Sequence, residues 1–284
     1  MATVVTSRRR VERPGFAVLG AALVVLYLPV LRDLVAVWAT VPFYTHGFVV
    51  PIFSAYLARD VLKHAGRADD RARAPSAEAA GLAVTLAGLA MLTLGVIHAS
   101  LSLRALSIPV VLMGLALARL GPASARQLTF PIGFLVFMAP LPDRVVTAIS
   151  PPLQHAAAVF AEHALRTLGI PTVRQELFVK IPSVTLHVTE DCTGIRFLLA
   201  MLVIGVACAG LTQRRPVRRV VIVLAAAGLA VLANWLRVAG TGVMSELWGA
   251  WAAIGLPHIV WGKVIYGVML VPFAGLVLLL RRRP

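Results

Sequence analysis

Three side chains in the last third of the chain could carry out covalent chemistry together: Cys192, Arg237 and His258. A cysteine nucleophile needs a thiolate or a base to make one, and a proton donor for the leaving group. It also needs a positive group for the oxyanion that forms when a carbonyl is attacked. Cysteine, histidine and arginine supply those functions. Cys192 sits in Glu190-Asp191-Cys192-Thr193-Gly194-Ile195-Arg196, where a long polar segment gives way to an apolar run through Gly210. The start of a helix favours a thiolate; the two preceding carboxylates oppose it, unless they cap the helix instead. Arg196 falls on the same helix face as Cys192, one turn deeper. Asn234 and Arg237 share a side at i, i+3. That arrangement argues for an inward polar face rather than an arginine that only snorkels to the head groups.

Other residues compete for these roles. Cys208, in Val206-Ala207-Cys208-Ala209-Gly210, reads as an apolar core residue. If the two cysteines share a helix they lie about 24 Å apart at ~1.5 Å per residue, far outside disulfide reach. His46, His155, His163 and His187 rival His258, and spacing does not choose among them. Trp248, Trp251 and Trp261 read as interfacial anchors. The chain has no CxxC or HExxH spacing that would call for a metal, and the cysteine chemistry needs no metal or organic cofactor.

The elements that must position these groups are membrane spans. With 59% hydrophobic residues and a mean hydropathy of +0.87, the chain reads as an all-α polytopic membrane protein. The net charge of +15 would suggest nucleic acid for a soluble protein. Here it sorts by loop, because basic residues stay on the cytoplasmic side, so the expected surroundings are a lipid bilayer and not a nucleic acid. A basic head over residues 1–15 precedes a first span over 16–37, which lacks the small-residue cleavage site of a signal peptide. Further spans are expected over 46–62, 79–98, 101–120 and 128–141, then over 193–211, 217–240 and 259–280. Arg59, Lys63, Arg67, Arg71 and Arg73 mark one cytoplasmic loop, Arg214, Arg215, Arg218 and Arg219 another, and Arg281, Arg282 and Arg283 the end of the chain.

The stretch 143–189 is too polar to cross easily. It reads as an outer-surface helix over 152–168, ended by Gly169 and Pro171. A small β-hairpin follows, because Val184, Leu186 and Val188 alternate with polar residues. The expectation is therefore one integral membrane domain over 1–284 with about eight transmembrane helices. A small extracytoplasmic helix and β-hairpin insertion spans 143–191 before the sixth span, and a three-span catalytic unit occupies 192–284. Both termini are cytoplasmic, and Cys192, Arg237 and His258 meet at the extracytoplasmic face of the cell membrane.

Glu-x-Cys-Thr-Gly-x-Arg at 190–196, Asn-x-x-Arg at 234–237 and a histidine before the last span resemble the exosortase and archaeosortase family of multi-span cysteine transpeptidases. The resemblance extends to Thr45-His46-Gly47 with Pro51, to Phe130-Pro131, and to Pro140-Leu141-Pro142. It implies that Cys192 is the nucleophile, that Arg237 stabilises the oxyanion or orients substrate, and that His258 is the general acid or base. Arg196, Asn234 and Glu190 are then expected to contact substrate, Arg196 by assisting or by binding an acidic residue of the substrate. The implied partners are membrane-anchored exported proteins with a C-terminal motif of the Pro-Glu-Pro type, a span and a basic tail. Thr193 stands where serine is more usual and Asp191 where a small residue is common, changes that leave the nucleophile in place. Two other classes use the same residues differently. A transporter or flippase in envelope polysaccharide assembly would use Arg196, Asn234 and Arg237 to bind an anionic lipid-linked head group. A non-catalytic scaffold would depend on the outer segment instead.

Overall fold

The computed structural model of the protein describes residues 13–65, 75–189 and 192–281. Arg8, Arg9 and Arg10 of the basic head, the loop residues Arg67, Arg71 and Arg73, the carboxylates Glu190 and Asp191, and Arg282 and Arg283 lie outside the described residues.

The described chain is mostly helical. Its helices are α1 (Arg13–Thr40), α2 (Val49–Ala65), α3 (Pro75–Ile97), α4 (Leu101–Phe134), α5 (Asp143–Thr167), α6 (Ile195–Thr212), α7 (Pro216–Trp248) and α8 (Leu256–Arg281). Between α5 and α6 lie three short antiparallel strands, β1 (Val173–Gln175), β2 (Phe178–Lys180) and β3 (Thr185–His187), in the order β1-β2-β3. In the register, Arg174 faces Val179 and Val179 faces Leu186. The sheet therefore has one strand more than the two-stranded hairpin read from the alternation.

Among the described residues, six helical segments are long and apolar enough to cross a membrane: Gly20–Thr40, Pro75–Ile97, Leu101–Met138, Ile195–Thr212, Pro216–Trp248 and Leu256–Arg281. Their apolar side chains point largely outward, as with Val25 and Val271, both 72% exposed; this suits lipid and not water. The protein is a multi-pass membrane protein. The expected second span corresponds to α2, only 17 residues long, preceded by a 3-10 turn over Pro42–Phe48. The expected fourth and fifth spans form one run, because the backbone turns at Gly121 (φ 78°) and resumes as helix through Pro122. Length and composition thus support six crossings where eight were expected.

The chain divides into two compact units, one made of 1–40 and 54–140, the other of 41–53 and 141–284. In the first, α3 and α4 are joined by a turn at 98–100, where the Ser100 hydroxyl caps α4 by accepting from the Leu103 N–H at 3.3 Å. Glycine lets the two helices pack closely: a Cβ at Gly88 would lie 2.6 Å from Val111 Cγ2 and 2.9 Å from its backbone nitrogen. The Tyr27 hydroxyl bonds Ser107 Oγ at 2.9 Å, Arg104 meets Asp33 at 2.9 Å, and the Trp38 indole donates to the Met138 carbonyl at 3.0 Å.

In the second unit, α5 turns an alanine-rich face inward. Ala157, Ala158, Ala161 and Leu165 pack with Val179, Ile181 and Val188 of the strand region and with Val238 and Ala239 of α7. His155 and His163 lie on its exposed side, which makes the helix amphipathic. It begins at Asp143, earlier than the expected 152, and continues through Pro151 and Pro152, although each proline removes one backbone donor. Glu162 anchors the strands by taking Arg174 at 2.8 Å. A second cluster joins Met201 and Ala209 of α6, Ile222, Ala226 and Ala230 of α7, and Phe273 and Val277 of α8, with Cys208 packed against it.

Candidate active site

Every residue of the site belongs to the second unit. Gly194 precedes α6 in the left-handed region (φ 77°), where a Cβ would be strained. A Cβ there would also lie 2.7 Å from Asn234 Cβ and Cγ, so glycine is required both by the backbone and by the approach of α7. This close passage lets Asn234 Nδ2 donate to the carbonyl of Cys192 at 2.7 Å. Asn234 is 2% exposed. It ties the main chain of the cysteine to α7.

Cys192 itself is half-buried, packed with Trp235 beside the α5 and strand cluster. Its N–H donates to the Thr189 carbonyl at 2.9 Å, and the Thr189 hydroxyl donates to its Sγ at 3.8 Å.

One turn beyond Asn234, Arg237 aims its guanidinium at α8. Its NH2 group lies 2.9 Å from His258 Nε2, and its Cζ sits over the Phe197 ring at 5.6 Å, a cation–π geometry. Gly262 makes room for it, since a Cβ there would lie 3.3 Å from Arg237 Nε. The Arg237 carbonyl accepts from Thr241 Oγ1 at 2.9 Å and from the Trp261 indole at 3.1 Å. Thr241 Oγ1 also lies 3.2 Å from His258 Nδ1. Trp261, expected as an interfacial anchor, thus holds α8 to α7, whereas Trp248 and Trp251 are exposed at 57% and 63%.

A cavity of about 560 Å³ opens beside this pair. Arg237, His258 and Lys263 line it together with Arg196 and Phe197 of α6 and His46 of the 42–48 turn. Among the described residues its charged lining is basic. The turn that carries His46 is fixed by Tyr44, whose hydroxyl accepts from the Leu141 N–H at 3.2 Å. Burial raises the Tyr44 phenol above its ordinary value; the Leu141 bond lowers it, and the nearby Asp143 carboxylate adds to the rise.

The structure therefore joins Arg237 to His258, brings Arg196 to the same cavity, and holds Cys192 through its carbonyl. Among the described residues no hydrogen bond links the Cys192 thiol to His258 or Arg237. Of the rival histidines, His155 is exposed, His163 bonds the Val159 carbonyl of its own helix at 2.8 Å, and His187 stacks on Phe178 with ring centroids 4.4 Å apart. His46 alone among them shares the cavity of His258. Thr241, Gly194 and Trp261 were missed as site residues. Thr241 carried one signal, its i+4 position on the Arg237 face of α7.

The second unit thus gathers a half-buried cysteine just before α6, an arginine–histidine pair between α7 and α8, and a cavity lined by basic residues of α6, α7 and α8. The chain matches the transmembrane exosortase family over residues 38–275, and it belongs to that family. Membership suggests a membrane protein-sorting transpeptidase. No curated protein and no solved structure matches the chain.

Proposed function

We propose that the protein is a membrane-embedded cysteine transpeptidase or protease. It cleaves the C-terminal sorting tail of exported, membrane-anchored proteins at the extracytoplasmic face. Both of its own termini lie in the cytoplasm, in keeping with the basic residues at each end. The observation that carries this reading is the 2.9 Å bond between Arg237 and His258, on the helix whose Asn234 holds the Cys192 backbone at 2.7 Å.

His258 takes the proton of the Cys192 thiol, and the sulfur attacks the peptide carbonyl carbon. A C–S bond forms as the carbonyl π pair moves onto oxygen, where Arg237 meets the negative charge. Arg237 leaves His258 Nε2 to do so, which frees that nitrogen for the proton. Collapse of the intermediate breaks the C–N bond, and the leaving amine takes the proton from His258. The resulting thioester is resolved by water or an acceptor amine, which restores the thiol. Arg196, with Lys263 lining the same cavity, receives an acidic side chain of the tail motif, and Glu190 contacts substrate. The substrate's own span confines it to the bilayer, which holds the scissile bond at a fixed depth.

The test is co-expression of Cys192→Ala and Cys192→Ser with a tail-bearing substrate, following substrate size. Both variants lose processing, and Cys208→Ala keeps it. Normal processing in the Cys192 variants rejects cysteine catalysis, and loss in Cys208→Ala means the other thiol is the nucleophile.

A further inference from the structure

The geometry points to Thr241 as a positioning residue of the site: with Arg237 placing the lone pair of His258 on Nε2, the Thr241 hydroxyl accepts from Nδ1–H and so holds the ring with Nε2 aimed as the acceptor.

The assignment follows from counting donors. A guanidinium has only N–H donors and no acceptor, so with Arg237 NH2 at 2.9 Å, His258 Nε2 supplies the lone pair. A neutral imidazole then carries its proton on Nδ1. Thr241 Oγ1 lies 3.2 Å from that nitrogen and has already given its own hydrogen to the Arg237 carbonyl at 2.9 Å. It therefore faces Nδ1 with a lone pair, and the imidazole N–H has a defined acceptor. Arginine side chain, imidazole, hydroxyl and arginine carbonyl close into one ring of hydrogen bonds, each with a single consistent direction. In the opposite tautomer, Nε2–H would meet Arg237 N–H head on, and the Thr241 hydroxyl would have to leave the Arg237 carbonyl to donate to Nδ1.

The site is built for this arrangement. Thr241 is 5% exposed and sits one turn past Arg237 on α7, so a single helix face supplies both partners of the imidazole. The Trp261 indole, donating to the same carbonyl at 3.1 Å, fixes α8 against that face from the other side. A hydroxyl adds no negative charge, so Thr241 orients the ring without stabilising an imidazolium as a carboxylate would.

Two measurements test the assignment, and only the second rests on the transpeptidase reading. The first needs no turnover: 15N spectra of His-labelled protein in detergent, with the His258 signal assigned by difference from His258→Asn, at a pH well above the ordinary histidine range. The Nδ1-protonated pattern is expected in wild type and Thr241→Ser; in Thr241→Val the Nδ1–H loses its acceptor, so its shifts move toward those of an unbonded imidazole or the tautomers mix, and a wild-type spectrum there overturns the proposal. An Nε2-protonated His258 in wild type overturns the proposal. The second compares the same variants on a tail-bearing substrate. Thr241→Val lowers kcat by about 10- to 100-fold with KM little changed, less than the ~10⁴-fold of a carboxylate tautomer partner. Thr241→Ser restores most of it. Wild-type turnover in Thr241→Val, or equal losses in the valine and serine variants, overturns the proposal. If neither the wild type nor any variant processes substrate, the transpeptidase reading fails while the tautomer measurement still decides the role of Thr241.

Discussion

Two helix pairs in this protein are held together in opposite ways. Between α3 and α4 the contact is made by the absence of side chains. Gly88 meets Val111 backbone to backbone, and a Cβ at Gly95 would lie 2.7 Å from the Arg104 backbone nitrogen. The hydroxyls there turn back on their own helix, Thr85 donating to the Gly81 carbonyl at 2.9 Å. Between α7 and α8 an apolar cluster is joined by a polar contact that passes from helix to helix through Arg237, His258, Thr241 and Trp261. In lipid, dispersion between close backbones suffices to join helices, so the first pair needs no polar groups. Their presence in the second must be explained by something other than association, because burying them is costly.

The largest expected effect tests that contrast directly. Arg237→Ala lowers processing by roughly 10²- to 10³-fold, the usual loss for a group that stabilises an oxyanion, with a modest change in thermal stability. Gly88→Leu does the reverse. It forces side-chain atoms into a space that already lacks room for a Cβ, at about 1–3 kcal/mol or more, and lowers the melting temperature and yield while the folded fraction keeps its turnover. Processing rates normalised to folded protein separate the two. Equal loss per folded molecule in both variants breaks the comparison.

Much of this contrast was legible in the sequence, but not all of it. The apolar runs of α6, α7 and α8 gave their spans, because a stretch of some twenty apolar residues has few alternatives. The expected spans over 101–120 and 128–141 left between them a boundary that contains Gly121 and Pro122. They do turn the backbone, yet the helix resumes at once, and local punctuation cannot report whether packing carries a helix past it. The expected start of α5 at 152 likewise missed the turns from Asp143 that run on through Pro151 and Pro152. In the site, residue types and spacing pointed to Cys192 and Arg237, whereas only the family resemblance picked His258 from its rivals. The partners were hidden. Which side of α7 faces α8 is a tertiary fact, so Thr241 looked like any helical threonine, Trp261 like an anchor, and the bond from Asn234 to the Cys192 carbonyl left no sign.

Asn234 supplies the intermediate test. Asn234→Ala leaves the Cys192 carbonyl without its donor, a loss of about 1–3 kcal/mol for an unsatisfied buried group. Asn234→Asp is worse, because an ionised carboxylate offers only acceptors to that carbonyl and places a charge at a position 2% exposed. Melting temperature should therefore fall in the order wild type, alanine, aspartate, with processing falling in parallel as the cysteine loses its tether. If aspartate matches wild type, the asparagine amide is not what holds Cys192.

The smallest effect is expected at the charged pair of the first unit. Arg104 and Asp33 approach to 2.9 Å, but their side chains are 20% and 48% exposed. An ion pair this open contributes about 0.2–1 kcal/mol once solvent screening is counted. Asp33→Asn keeps the shape and an acceptor oxygen for Arg104, so the melting temperature should move by a few degrees at most, and processing should not change. Arg237 and His258 form a contact of the same length, 2.9 Å, and there His258→Asn should abolish turnover while costing little stability. Equal hydrogen-bond lengths with opposite consequences would mean that what separates the two pairs is the cavity beside the second. A large activity loss from Asp33→Asn would instead show that the helix pairs of the first unit are part of the working machinery as well as packing.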